Sequence, residues 1–147
     1  MPQIERSALV FYSAKQMFDL VNRVPEYPQF LPGCTAARIV NQSEQEMVAS
    51  LQVSKAGISH TFTTRNTFHP YQRIDLHLVD GPFKKLQGAW EFIPLNDKAC
   101  KVVLKLDFEF SNKLVQFAFG KVFGELAASM VNAFTIRAKQ VYGEVNG

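Results

Sequence analysis

The sequence predicts an α+β domain in which a curved antiparallel sheet of about seven strands surrounds one long C-terminal helix. From Ala36 to Phe110 the apolar residues mostly recur at every second position, as in strands with one buried face. The chain then shows helical periodicity over about 30 residues. A twisted antiparallel sheet can curl around one helix and bury the inward faces of both. The length of 147 residues fits a single domain over residues 1–147, without repeats or a linker.

The first elements are a strand and two short helices. An apolar run at about residues 3–11 predicts the strand, and SAKQMFDLVNRV predicts a helix with Ser13 as its N-cap. Pro25 ends this helix, because proline lacks the N–H group that a helix interior needs. The segment YPQFLPGC, residues 27–34, follows as a broken helical turn. Its apolar side chains must cover another part of the molecule.

Six strands then follow as a meander. In CKVVLKLDFEF the apolar residues from Cys100 to Phe110 alternate with mostly charged ones, and MVASLQVSK and RIDLHLV alternate in the same way. Because the connections are short, consecutive strands must be antiparallel neighbours. Turn signals separate the strands at 41–43, 56–57, 69–70, 80–82 and 96–97.

The last helix is unusually apolar. The stretch SNKLVQFAFGKVFGELAASMVNAFTIRAKQVYG has only a narrow polar stripe, so the helix must be packed on more than one side. Ser111 or Asn112 can cap its start, and Gly143 can cap its end. Charged residues such as Lys121 and Glu125 keep every uncharged run well below the ~20 residues of a membrane span. We therefore expect no transmembrane segment.

Composition and charge narrow the classes of function. Thirteen phenylalanines against one tryptophan require either a packed interior or an apolar cavity. The net charge of +3 is spread along the chain, whereas nucleic acid and anionic lipid usually need a concentrated cationic face. Cys34 and Cys100 lack disulfide or metal-ligand spacing, so we expect buried free thiols and a reducing cytoplasm. The N-terminus shows no export or import signal, which also favours the cytoplasm.

Polar residues on one strand favour a lined cavity as one of three explanations. In HTFTTRNTF the register that buries Phe62 also turns His60, Thr64 and Asn66 inward, where polar groups need partners. A cavity explains this pattern. So do a core in which neighbouring backbone satisfies these groups and an edge strand open to solvent. Gly88, on the inward register of a later strand, either removes volume opposite the helix or marks a bulge.

Motifs for catalysis or metal binding are missing from the sequence, which has no GxSxG, HExxH or glycine-rich phosphate loop. His69 precedes Pro70 in a turn and His77 lies on an outward register, so we expect both at the surface. Asp107 and Glu109 lie two residues apart on an outward face, where carboxylates are usually solvated. We expect no enzyme activity, no catalytic residue, no metal and no cofactor.

Lysines are frequent on the late strands and at the start of the last helix. Lys101 and Lys105 share an outward register, which would place a cationic strip on the outer face. Asp107 and Glu109 continue that register with the opposite sign, and a plain solvated face explains the pattern equally well. The whole set is Lys84, Lys85, Lys98, Lys101, Lys105 and Lys113.

The sequence resembles a known family in three stretches, YPQFLPGC, VDGPFKKLQGAWEFIPL and LKLDFEFSNKLVQFAFG. In this order and spacing they are similar to bacterial ribosome association toxins and their relatives among coenzyme Q-binding proteins, over about residues 3–143. The resemblance implies a START-like helix-grip fold of the polyketide cyclase and lipid transport superfamily, with an apolar tunnel under the helix. It also implies binding of a polyprenyl quinone such as ubiquinone in support of respiration. The alternative it implies is association with the large ribosomal subunit, which blocks subunit joining.

The resemblance also assigns roles to residues. YPQFLPGC becomes an elbow that packs under the long helix and sets the tunnel width, with ordinary core as the alternative. A transient membrane contact fits quinone binding, and ubiquinone would then be a bound ligand. A cyclase is a third hypothesis, supported by shared fold alone. For ribosome contact we expect Lys84, Lys85, Lys101 and Lys105. For the tunnel lining we expect Tyr27, Phe30, Leu31, His60, Phe62, Trp90, Phe92, Leu104, Phe108, Val115, Phe119, Phe123 and Met130.

Overall fold

The computed structural model describes residues 3–55 and 57–143. Of the predicted turns, the one at 56–57 includes Ala56, which lies outside the described residues. In chain order the elements are β1 (Gln3–Val10), α1 (Ala14–Val21), a 3-10 helix (Val24–Gln29), β2 (Cys34–Gln42), β3 (Glu46–Lys55), β4 (Ile58–His69), β5 (Arg73–Asp80), β6 (Phe83–Asn96), β7 (Ala99–Phe110) and α2 (Lys113–Tyr142).

The seven strands form one antiparallel sheet in the order β1-β7-β6-β5-β4-β3-β2. Consecutive strands from β2 to β7 pair with each other, and β1 pairs with β7. The sheet curves around α2, which packs against β1, β3, β4 and β7. The predicted fold class is therefore confirmed, including the meander, the N-terminal strand and the two short helices.

Local hydrogen bonds explain where the two α-helices begin and end. The Ser13 hydroxyl accepts from the Gln16 N–H at 3.1 Å, and the Gln16 side chain accepts from the Ser13 N–H at 2.8 Å, which is a capping box. Of the two candidate caps for α2, Asn112 is the one used, and its side-chain oxygen accepts from the Val115 N–H at 2.9 Å. Gly143, with φ +86°, ends α2 as predicted.

Helix α2 lies in the core of the domain. By length and composition it is the one helix of the described residues that could cross a membrane. However, it already packs against the sheet along its length, from Phe119 through Phe123 and Met130 to Ala138. This packing explains why so apolar a helix occurs in a sheet-wrapped domain.

Both cysteines are buried free thiols, as predicted. Burial raises the pKa of the Cys34 thiol to about 11, and burial raises the pKa of Cys100 to about 11 as well. The thiolate is the reactive form of cysteine. Both side chains therefore behave as small apolar core residues at neutral pH.

The reason for Gly88 differs from both explanations that the sequence offered. Pairing between β6 and β7 is regular at this point, with Gly88 opposite Leu106 and no bulge. A Cβ atom at Gly88 would lie 2.0 Å from the carbonyl oxygen of Lys105 and 3.0 Å from the Cα of Leu106. The glycine is therefore required because the backbone of β7 approaches too closely for any side chain.

Candidate functional site

Most of the phenylalanines near the start of α2 pack against each other. Neighbouring ring centroids are between 4.8 and 6.2 Å apart, mostly in the edge-to-face arrangement that aromatic pairs prefer. These rings fill the space between the first half of α2 and the facing strands. We call this group the six-ring cluster; its members are Phe62, Phe83, Phe108, Phe110, Phe119 and Phe123.

A second aromatic group lies under the other half of α2. We call it the Trp90 cluster, and it consists of Tyr27, Phe30, Trp90 and Phe134. The Phe134 ring centroid lies 5.3 Å from Tyr27, 5.1 Å from Phe30 and 5.3 Å from Trp90. The Tyr27 hydroxyl donates a hydrogen bond to the Val21 carbonyl oxygen. YPQFLPGC therefore packs under the long helix, as expected from the resemblance.

A small cavity separates the two clusters. Its volume is about 60 Å³, which is room for about four to six water molecules, whereas ligand pockets usually measure about 300 Å³ or more. The open tunnel that the resemblance implies is therefore not present, because the six-ring cluster fills one end of the space and the Trp90 cluster fills the other. The expected lining residues found at this cavity are Tyr27, Phe62, Trp90, Leu104, Phe123 and Met130.

The remaining expected lining residues lie in the core outside the cavity wall or at its margin. The His60 ring, for example, is half-buried and lies 4.6 Å from the Phe119 ring. Alternation along a strand identifies the inward face but not the depth at which rings meet. This is why the sequence selected too many residues. The residues outside the wall are Phe30, Leu31, His60, Phe92, Phe108, Val115 and Phe119.

Other residues of the cavity wall were not singled out from the sequence. Those on the sheet follow the predicted inward register of their strands, so alternation was the signal for them. Those from α1 and the 3-10 helix depend on how α1 folds back over the sheet, for which the sequence carries no comparable pattern. These wall residues are Val21, Asn22, Val24, Ala49, Leu51, Ile74, Leu76, Leu86, Leu106, Leu126 and Ala127.

Two polar side chains of β4 face this apolar cavity. Thr64 and Asn66 both line it, and the Thr64 hydroxyl donates to the Asn66 side-chain oxygen at 2.8 Å. The two groups thus satisfy each other in part. The side-chain amide nitrogen of Asn66 has no hydrogen-bond partner within the part of the chain that the structure describes. It is an N–H donor suited to a carbonyl oxygen on an otherwise apolar ligand.

The C-terminal half of α2 is fastened to the rest of the domain by polar contacts. The Arg137 guanidinium donates to Glu26 at 3.1 Å and to Gln29 at 2.8 Å. The Tyr142 hydroxyl donates to the carbonyl oxygen of Gln16 at 2.8 Å. These bonds fix this half of α2 against α1 and the 3-10 helix.

The N-terminal half of α2 contains two glycines that packing does not require. A Cβ atom at Gly124 would meet nothing within 4 Å, and one at Gly120 would make ordinary contact with Phe110 at 3.6 Å. Each glycine in a helix interior costs about 1 kcal/mol relative to alanine. One exposed ion pair, Lys55 to Glu125 at 2.7 Å, links this half to the end of β3. The helix is therefore easier to bend here than near its C-terminus.

Two of the four lysines expected at the ribosome carry carboxylate partners on the outer face of the sheet. Lys105 lies 3.2 Å from Glu91 and 3.8 Å from Glu5. Lys85 pairs with Asp107 at 2.8 Å. The outward register of Lys101 and Lys105 is as predicted, but neighbouring strands neutralise Lys105. The face is therefore not a continuous cationic strip.

The other two lysines, Lys84 and Lys101, form no ion pair with any described residue. They lie at opposite ends of β7, since Lys84 follows the residue opposite Phe110 and Lys101 is near the start of the strand. The separation along β7 is roughly 30 Å. Lys101 lies between Leu9 and Ile93 in the sheet register, both of them exposed.

The two histidines expected at the surface, His69 and His77, are both exposed. His69 lies 2.9 Å from Asp75, which also accepts from Arg73. Partial burial raises the pKa of Asp75, but the hydrogen bonds from Arg73 and His69 outweigh burial and lower it overall. Within residues 3–55 and 57–143, no three histidine, cysteine or acidic side chains lie together as a metal site would require.

Comparison with solved structures supports the fold. An aromatase/cyclase from Streptomyces sp. R1128 superimposes with a TM-score of 0.83 at 19% identity, over 98% of this chain and 99% of the other. A START superfamily protein from Mycobacterium smegmatis superimposes with a TM-score of 0.77 at 22% identity, over 95% and 98% of the two chains. At such identities the likeness concerns the fold alone.

Sequence comparison identifies full-length relatives. The ribosome association toxin RatA of Vibrio cholerae is 62% identical over 98% of this chain and 100% of its own length. RatA of Escherichia coli K12 is 62% identical over 97% of this chain and 90% of its own length. A mitochondrial coenzyme Q-binding protein, COQ10 homolog B of Xenopus laevis, is 26% identical over 96% of this chain and 59% of its own length.

A family description matches most of the chain. Polyketide cyclase / dehydrase and lipid transport is the matching family, over residues 10–135. This range includes the whole sheet except most of β1, and most of α2. The chain therefore belongs to the polyketide cyclase/dehydrase and lipid transport family, with the START-like fold, in which the RatA proteins are its full-length relatives.

Proposed function

We propose that this protein is a ribosome association toxin, which binds the ribosome in the cytoplasm and hinders the joining of its subunits. The observation that supports this most strongly is the 62% identity to RatA of Vibrio cholerae over 98% of this chain. That alignment also includes the whole length of the relative, so no domain of RatA is missing from this chain. The large subunit is the binding partner that the sequence resemblance implies.

Lys101 is the residue that we propose for contact with ribosomal RNA. A lysine that already pairs with carboxylates has less to gain from a phosphate, and Lys105 has two such neighbours, Glu91 and Glu5. Lys101 has none among the described residues and is exposed. Each lysine that contacts phosphate releases counterions, so binding weakens as the salt concentration rises.

Sedimentation in sucrose gradients with purified subunits tests the proposal. The protein is expected to migrate with the large subunit at low salt. Lys101→Ala should weaken binding about fivefold and reduce the slope of log affinity against log salt by about one. Lys105→Ala is the matched control, because its ammonium group is already paired on the same strand and face. Failure of the wild-type protein to migrate with either subunit at low salt would exclude this function.

A second function, binding of an apolar ligand with a carbonyl head group, is supported by Asn66. Its unpartnered amide faces the cavity between the two aromatic clusters, where a carbonyl oxygen could accept from it while Trp90 and Tyr27 contact a ring. A polyprenyl quinone such as ubiquinone has this chemistry. The Xenopus laevis relative, 26% identical to this chain, is named a coenzyme Q-binding protein.

Such a ligand requires the cavity to widen. The present volume of about 60 Å³ is less than half of the ~150 Å³ cavity that holds one benzene molecule in another protein. The C-terminal half of α2 is held by Arg137 and Tyr142. We therefore place the movement in the N-terminal half, where Gly120 and Gly124 weaken the helix.

Quenching of tryptophan fluorescence measures this binding directly, because Trp90 lines the cavity and is the one tryptophan in the sequence. A short-chain ubiquinone should quench its emission with a saturable, one-to-one profile. Asn66→Leu should weaken binding about three- to tenfold through loss of one hydrogen bond. Asn132→Leu, at an exposed position of α2, is the matched control. A purely linear, non-saturable quench in the wild-type protein would rule out this second function.

A further inference from the structure

Helix α2 carries two large apolar side chains on the side that faces solvent. Leu114 is 77% exposed and Phe117 is 88% exposed, the highest values among the large apolar residues that the structure describes. A spacing of three residues places both on one face of the helix. Phe119 and Phe123, on the other face, are buried in the six-ring cluster.

Lysines flank this apolar pair. Lys113 precedes Leu114, and Lys121 follows Phe117 by four residues, which places it on the same face. Both lysines are exposed, and neither has an ion pair with a carboxylate in the described part of the chain. Glu125, one turn further on, is held at 2.7 Å by Lys55. The surface around the two apolar side chains is therefore cationic.

We propose that this docking turn, Lys113, Leu114, Phe117 and Lys121, binds the surface of a bilayer that contains anionic lipid. Leucine and phenylalanine insert between acyl chains, while lysines on the same helix face reach the phosphates. Charge complementarity favours anionic over neutral lipid. A phosphate-rich RNA surface would attract the lysines but would leave the two apolar side chains in water.

The docking turn and the cavity use two sides of one helix. The inward side of α2 contributes Phe123, Leu126 and Met130 to the cavity wall. A bilayer that contacts the docking turn would thus lie next to the half of α2 in which we place the opening movement. The docking itself depends neither on ribosome binding nor on a ligand in the cavity, so its test is independent of both proposed functions.

A second exposed apolar group on β1 and β6 provides a control. Leu9 is 66% exposed and Phe11 is 69% exposed. This pair has the same two residue types and similar exposure as the docking turn. It lies near the flat outer face of the sheet, beside Lys101.

Vesicle flotation tests the proposal with the full chain and vesicles of phosphatidylcholine, with or without phosphatidylglycerol. The wild-type protein should float with the phosphatidylglycerol vesicles. Leu114→Ser with Phe117→Ser should reduce partitioning about tenfold or more. Replacement of Lys113 and Lys121 by alanine should reduce it about fivefold for each lysine, and added salt should act in the same direction. All four side chains are exposed, so unchanged thermal unfolding should accompany these losses.

Leu9→Ser with Phe11→Ser should leave vesicle binding unchanged. The proposal is overturned when the wild-type protein fails to float with anionic vesicles, or when this control pair loses as much binding as the docking turn. It is also overturned when sedimentation equilibrium shows a wild-type dimer that Leu114→Ser with Phe117→Ser converts to monomer, because the face is then a contact between two copies. The docking-turn variant should still migrate with ribosomal subunits, which separates this failure from that of ribosome association.

Discussion

Replacing both glycines of the N-terminal half of α2 by alanine should stabilise the protein. At Gly124 a Cβ atom meets nothing within 4 Å, and at Gly120 its nearest neighbour is a Phe110 ring atom at 3.6 Å, an ordinary contact. Each replacement gains about 1 kcal/mol of helix propensity. The double variant should therefore be more stable by about 2 kcal/mol, which for a domain of this size raises the Tm by about 4–8 °C.

Urea unfolding followed by circular dichroism measures this gain, and stopped-flow quenching of Trp90 by a short-chain ubiquinone measures the rate of uptake. If α2 bends at these glycines to admit a ligand, the stabilised variant should take up the quinone more slowly. A loss of stability would show that the glycines serve packing, and the reasoning from the open space around them would be wrong. Greater stability with an unchanged uptake rate would place the opening movement elsewhere.

Three further changes test the packing and the polar contacts. Phe134→Ala, at the centre of the Trp90 cluster with no exposed surface, should lower the unfolding free energy by about 3–5 kcal/mol, and a loss below about 1 kcal/mol in urea would contradict that packing. Arg137→Ala should cost about 1–3 kcal/mol because its side chain is only 16% exposed, whereas Lys15→Ala, 63% exposed, should cost less than about 1 kcal/mol. The thiol pKa values of Cys34 and Cys100, about 11 in the fold against 9.0 ordinarily, mean that the unfolded chain loses these protons first as pH rises. Stability should therefore be constant through neutral pH and fall above about pH 9, and a urea midpoint that is unchanged between pH 8 and pH 10 would argue against burial of both thiols.

The sheet could be predicted because its signal is local. Alternation in β7 from Cys100 to Phe110 identified the buried face, and short turns fixed the antiparallel order. The caps at Ser13 and Asn112 follow from residue type and position. These features depend on neighbours in the sequence or on the next strand.

The size of the cavity could not be predicted, because it depends on how rings from distant elements meet. The thirteen phenylalanines were compatible with a packed interior or with an apolar tunnel. In the structure Phe108 and Phe119 belong to the six-ring cluster and leave only the gap before Trp90. Whether an inward ring lines a space or fills it is decided by partners that are many residues away.

The charge of the outer face was equally beyond the sequence. The pairs of Lys105 with Glu91 and of Lys85 with Asp107 require the register between β6 and β7, which sequence alternation leaves undetermined. The close approach of β7 to Gly88 has the same origin. In each case the missing information was the position of one strand relative to another.

The most direct test of ribosome association is light scattering during subunit joining. Purified small and large subunits, brought to the magnesium concentration at which they associate, give a rise in scattered light. We expect a stoichiometric amount of this protein, mixed first with the large subunit, to suppress that rise, and Lys101→Ala to suppress it less. A rise of normal rate and amplitude in the presence of excess wild-type protein would contradict the account.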